Sequence, residues 1–212
     1  MQPKSLAEIL TLNNIKSYFK ASDYRFFENA KKRFNLNIIG VRRDNHGTNT
    51  FDDFLLVMFL EEGSMTTYQY QITTDPGKYW LENPMNPKGT AILVPGQYRS
   101  TWKLGKHQGK YQALVQAKPV KVYRDNNNDD IIDYANIENT LDEGYFGINI
   151  HRSNPYDQSY VINKWSAGCQ VFKSVEDYDS FIKLCKDSAE IYGNRFTYTL
   201  ISEKDLRNHL DS

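Results

Sequence analysis

Cysteine is scarce in this sequence: Cys169 and Cys185 are the only two among 212 residues. Two cysteines this far apart give neither a disulfide scaffold nor the spacing of a zinc site. Charge of either sign is not in excess, since 26 Lys and Arg balance 26 Asp and Glu. A nucleic-acid binder would carry a basic surplus, so no nucleic-acid partner is expected. Long hydrophobic runs are also missing. The longest, residues 54–60, falls far short of the roughly 20 residues that span a bilayer, so no membrane partner is expected. No apolar leader follows the opening Met1 to Ser5, and the expectation is a chain made in the cytoplasm without a signal peptide.

Apolar residues make up 40% of the chain and aromatics 14%, enough for one large domain, or one with a small appendage. Residues 5–34 read as helical: Leu6, Ile9 and Leu10 give one apolar face, and Ile15, Tyr18, Phe19, Phe26, Ala30 and Phe34 a second, with Ser22 and Asp23 as a point of interruption. The expected division is a helical segment over 1–35, for packing or for docking a partner, and a main domain over 36–212.

Strand patterns dominate from residue 36. Residues 36–41 are short and apolar, and residues 42–47 form a polar turn. The run 54–60 suits a strand buried on both faces, and residues 66–73 alternate as its hairpin partner. Asp75, Pro76 and Gly77 signal a turn. Residues 82–96 read as a surface connector, and 98–104, 111–116 and 120–123 as three further strands. Lys103, Lys106, Lys110 and His107 mark a basic loop, either solvated or the wall of a groove that meets an anionic ligand. Ser174 caps a helix whose apolar face is Tyr178, Phe181, Ile182, Cys185 and Ala189, with Gly193 as its stop. Cys185 on that face reads as an inert core thiol. Residues 196–201 alternate as a last strand.

The stretch 125–133 is acidic and rich in Asn. Asp125, Asn127, Asp129 and Asp133 stand at positions one, three, five and nine of a calcium-loop pattern, but the sixth position is Asp130 rather than Gly and the twelfth is Asn136 rather than Glu. The reading is a solvated turn, with a structural calcium as the alternative.

The stretch 146–172 holds one of the two cysteines and one of the four histidines. His151 closes an alternating run of Phe146, Ile148 and Ile150. Cys169 follows Ala167 and Gly168, a small-residue turn whose amides can point into a shared space. If residues 161–172 return alongside that strand, imidazole and sulfur come within reach, which would depress the thiol pKa and favour an ion pair.

His151, a loop, and then Ser166-Ala167-Gly168-Cys169 resembles the signature of the L,D-transpeptidase (YkuD-like) family, a His followed fifteen to twenty residues later by Ser-x-Gly-Cys. The upstream Asn86-Pro87-Lys88-Gly89-Thr90 and Pro95-Gly96-Gln97-Tyr98 are similar to a Pro- and Gly-rich segment of that family. The resemblance covers residues 66–202 loosely and 146–172 specifically. It implies a mixed α+β fold, mainly β, of β-sandwich or barrel type with a helix after the cysteine.

The resemblance further implies Cys169 as nucleophile, His151 as its base oriented by the backbone carbonyl of Arg152, the Gly168 and Cys169 amides as an oxyanion hole, and Ser166 as support for the turn. Lys164, Trp165, Arg99 and His107 are the expected substrate-facing residues. The implied substrate is a peptidoglycan stem peptide, attacked at an L,D-peptide bond through an acyl-enzyme, with no cofactor required. Arg152 stands where the family has a small residue, and Val171 stands where it has Arg; Arg152, Lys164 and Arg99 are the candidates to replace that charge. The wording around both motifs resembles bacteriophage-encoded variants, which implies action at the bacterial cell wall and favours hydrolysis over cross-linking. The alternative is a virion or wall-binding structural protein that keeps the fold without the activity, its N-terminal helices docking a virion protein.

Overall fold

Strand β2 (Asp53–Glu61) carries the longest apolar run, and its alternation serves two cores at once. Leu55, Val57 and Phe59 face one, and Leu56 and Met58 the other. Strand β1 (Asn37–Arg42) does the same with Ile38 on one side and Ile39 and Val41 on the other. Successive side chains of a strand point to opposite faces, so a strand apolar at every position must be covered twice.

The computed structural model describes residues 5–28, 32–44 and 49–212. The remaining strands are β3 (Ser64–Thr73), β4 (Thr90–Leu93), β5 (Gly96–His107), β6 (Tyr111–Gln116), β7 (Val120–Asp125), β8 (Asp142–Gly144), β9 (Ile150–Arg152), β10 (Gln170–Phe172) and β11 (Phe196–Ser202). Eight of them close a barrel in the order β1-β11-β5-β6-β9-β10-β3-β2, and β4-β7-β8 form a separate small sheet. The protein is thus mixed α and β, mainly β. Closure removes the exposed edges that an open sheet would present. Two pairs in the barrel are parallel, β1 with β11 and β9 with β10.

Helices α1 (Leu6–Ile9), α2 (Leu12–Ala21) and α6 (Glu203–Leu210) cover the outer core, bringing Ile9, Ile15, Phe19 and Leu206 onto Ile39, Val41, Leu56 and Met58. Thr11 caps α2 by accepting from the Asn14 amide. The apolar face of the N-terminal helices is therefore spent on the barrel. The expectation of helix throughout residues 5–34 is corrected: α2 ends at Ala21, Asp23 takes φ 55°, and the described residues beyond it are not helical. Phe26 packs against Phe19 and Phe34 against Phe59 from irregular chain, so apolar spacing there reflects burial without a helix. Ala30 and residues 45–47 of the polar turn lie outside the described residues.

Helix α5 (Val175–Tyr192) is capped by Ser174 and puts Tyr178, Phe181, Ile182 and Cys185 into the inner core with Trp102, Phe172 and Tyr198. Three short helices or turns break the sequence-based reading: α3 (Lys78–Glu82), α4 (Tyr134–Ile137) and α6. The connector over 82–96 contains β4, buried at all four positions.

Candidate active site

The parallel pairing of β9 and β10 sets the register of the site. Ile150 pairs with Gln170, and His151 with Val171. The Asn149 carbonyl accepts from the Gln170 amide at 2.9 Å, which extends the match by one residue on each side. Cys169 and Val171 therefore share a face with Asn149 and His151. The run before His151 is not a strand as expected; only Ile150–Arg152 is, and 146–149 is irregular. Gln116 holds that segment instead. Its Oε1 accepts from the Phe146 and Ile148 amides, and its own amide donates to Asn149 Oδ1 at 3.0 Å.

His151 is buried, and its Nδ1 lies 2.8 Å from the Arg152 carbonyl. A carbonyl only accepts, so the proton sits on Nδ1 and Nε2 keeps its lone pair. Tyr111 Oη lies 3.1 Å from the same Nδ1 and donates to the same carbonyl at 3.3 Å. The ring of His107 stacks on His151 with centroids 4.0 Å apart. Burial pushes the His151 pKa down to about 3, and the neighbouring His107 adds to the effect.

Cys169 is half-buried. Its Sγ accepts from the Asn149 amide and donates to the Gly147 carbonyl, both at 3.4 Å. Phe51, Ile162 and Val171 pack beside it. Burial pushes the thiol up to about 11, against the smaller opposing pull of the Asn149 amide. The expected ion pair is thus corrected. Burial favours a neutral thiol and a neutral imidazole over that pair, and apolar side chains pack beside the sulfur.

The turn before the cysteine is tied from inside. Ser166 is fully buried; its Oγ donates to the Cys169 carbonyl at 2.8 Å and accepts from the Gly168 amide at 3.2 Å. The expectation of Gly168 as a free oxyanion donor is corrected by that bond, since its amide is engaged by Ser166 Oγ. Gly168 has φ 113°, and a Cβ there would lie 2.2 Å from the Ala91 carbonyl, so only glycine fits. Gln170 reinforces the turn: it is buried, donates to the Gly168 carbonyl, and accepts from Tyr198 Oη.

The three cations considered for the charge absent at Val171 have the following surroundings. Arg152 lies over the Tyr111 ring at 4.1 Å, and Lys164 over the Tyr79 ring at 4.0 Å. Arg99 is exposed on β5. Trp165 is exposed, and the Lys164 carbonyl accepts from Trp80 Nε1 at 3.1 Å. His107, assigned from sequence to a basic loop, instead ends strand β5 and is buried. A cavity of about 270 Å³ opens beside the turn, lined by Ala167, Ala91, Trp80, Arg124, Tyr145 and Phe146 among others. Asn149, Tyr111, Gln116 and Gln170 were not singled out from sequence. The spacing Asn149-x-His151 was the available signal for the first.

Among the described residues no three His, Cys, Asp or Glu side chains gather to hold a metal ion. In the loop 125–133, Asp129 accepts from Asn127 Nδ2 and the Ile131 amide, and Asp133 from Asn136 Nδ2. Among the described residues no helix is long and apolar enough to cross a membrane. Comparison with family models, curated proteins and solved structures finds no match.

Proposed function

We propose that the protein is a cysteine-dependent acyl-transfer enzyme of L,D-transpeptidase-like fold that acts on peptidoglycan stem peptides, hydrolysing L,D-peptide bonds in preference to cross-linking. The observation that carries this reading is the β9–β10 register. It sets Cys169 and His151 on one face of the sheet, with the His151 Nδ1 proton engaged by the Arg152 carbonyl. Nε2 takes the Sγ proton as sulfur attacks the scissile carbonyl carbon. The oxyanion that forms meets the Cys169 amide. Collapse breaks the C–N bond, and the leaving amine takes the proton back from Nε2. A thioester remains at Cys169, and water, activated by the same nitrogen, releases the acid. The cavity beside Ala167 offers room for the acyl donor. The site of action in this reading is the bacterial cell wall, reached as a phage- or virion-associated protein.

A second reading is a wall-binding or virion structural protein without turnover. The high thiol pKa and the engaged Gly168 amide favour it. Purified sacculi incubated with the protein and with Cys169→Ala separate the two. Loss of terminal residues or cross-links, resolved by mass and absent in the variant, supports the enzyme. Muropeptides unchanged by both proteins, with retained sacculus binding, support the structural reading.

A further inference from the structure

Arg124 on β7 is only 6% exposed, yet it lines the cavity of about 270 Å³ beside the cysteine. Its Nε and Nη2 donate to Asp142 Oδ2 at 3.2 and 3.1 Å, and its Nη1 donates to the Gly89 carbonyl at 3.1 Å. Each terminal nitrogen of a guanidinium carries two N–H groups, so one on Nη1 and one on Nη2 have no acceptor among the described residues. The guanidinium carbon sits 4.6 Å from the centre of the Phe146 ring, which lines the same cavity. The group is therefore held in place before any ligand arrives.

Asp142 serves two cations, since Lys88 also pairs with it at 3.4 Å. Among the described residues none that lines the cavity has an acidic side chain, and Asp125, next along β7, is not part of the wall. Asn86 in the wall accepts from the Lys88 amide on its Oδ1 at 2.9 Å, which leaves its Nδ2 as a further donor. Trp80, Met85 and Tyr145 supply apolar surface, and the last two are exposed. A positive charge and donors set among apolar side chains receive a carboxylate carried on a small residue.

The cavity adjoins the nucleophile through the backbone. Phe146 precedes Gly147, whose carbonyl accepts from Cys169 Sγ at 3.4 Å, and Ala167 in the wall stands just before Gly168. We infer that Arg124 seats the C-terminal carboxylate of a peptide in this cavity, so that the bond presented to Cys169 is the last one of the acyl donor. The inference rests on the peptidase reading above and makes that peptidase a carboxypeptidase. Pockets for drug-sized ligands start at about 300 Å³, so this smaller space suits a single terminal residue. A C-terminal amide brings no charge to Arg124, and a chain that runs on past the cavity brings no carboxylate.

The test is side-chain nitrogen NMR of the full chain carrying Cys169→Ala, titrated with N-acetyl-D-alanine and with N-acetyl-D-alaninamide. The acid should move the Arg124 Nε resonance and bind about tenfold more tightly than the amide. Replacing Arg124 alone strands Asp142, so Arg124→Gln and Asp142→Asn are added together to the same chain. That variant, its folding checked by its unfolding midpoint, should bind acid and amide alike. Equal binding of the two probes before the pair is removed overturns the seat, as does binding of neither. So does an acid preference that survives in the folded pair variant. If the pair variant does not fold, the comparison of acid with amide still decides. Binding is read without turnover, so sacculi left intact by the parent protein count against the peptidase reading and not against the seat.

Discussion

The rings of His107 and His151 stack at 4.0 Å between centroids and 24° between planes. Their hydrogen bonds give them different tautomers. The Gln116 amide can only donate, so it fixes Oδ1 of Asn149 toward itself and turns Nδ2 toward His107 Nδ1 at 3.0 Å. His107 thus keeps its proton on Nε2, while His151 keeps its own on Nδ1. One ring supports the other, and burial lowers the pKa of both.

Replacing His107 should therefore disturb orientation more than binding. His107→Ala is expected to lower turnover on muropeptides by about tenfold with KM little changed, as for a misplaced catalytic group. Nitrogen NMR of the His151 ring should show the Nδ1 tautomer giving way to a mixture. Turnover and tautomer that match the parent would reduce His107 to packing.

The pH dependence of thiol labelling should follow the high pKa of Cys169. At pH 7 about one sulfur in ten thousand is ionised, given a pKa of about 11. Iodoacetamide labelling should climb steadily from pH 7 to pH 10, with Cys185 silent in the folded protein because it is fully buried. A plateau below pH 8 would instead reveal a thiolate–imidazolium pair.

Acid should unfold the protein partly through His151. Its folded pKa lies below the ordinary histidine value, so the unfolded chain binds a proton that the folded one refuses. The stabilisation is complete above about pH 6.5 and is lost as pH falls toward 3. His151→Asn should flatten that part of the pH–stability curve, measured by urea midpoints. A slope unchanged by the substitution would assign acid sensitivity to other groups.

Ser166→Ala removes two hydrogen bonds from a buried turn and leaves the Gly168 amide and the Cys169 carbonyl unpaired there. The cost should be about 2 kcal/mol, a fall of about 4–8 °C in midpoint by calorimetry. A shift under 1 °C would mean that water replaces the hydroxyl.

Most of the barrel strands and α5 were legible because their apolar positions repeat at two or at three and four residues, whereas β9 is shorter than its alternating run. β2 showed its double burial as an unbroken run, and Ser174 and Gly193 marked both ends of α5. Helix α6 carries only Leu206 and Leu210 as apolar residues, too few to mark a face. At the site, His151 and Cys169 stood out by rarity. His107 did not, since its lysine neighbours point to solvent along the same strand and mimic a loop. The bonds from Ser166 to Gly168 and from Gln116 to the 146–149 segment depend on how the chain folds back, which no local pattern reveals.

The parallel pairing of β9 with β10 has a further consequence for the life of the thiol. Parallel neighbours need a long connection, here residues 153–169, and this pair is one seam of the closed barrel. Before closure Cys169 ionises as any exposed cysteine does. Afterward its thiolate fraction drops by about a hundredfold, from an ordinary value of 9.0 to about 11. Burial on folding thus disfavours the thiolate that oxidants and stray electrophiles attack.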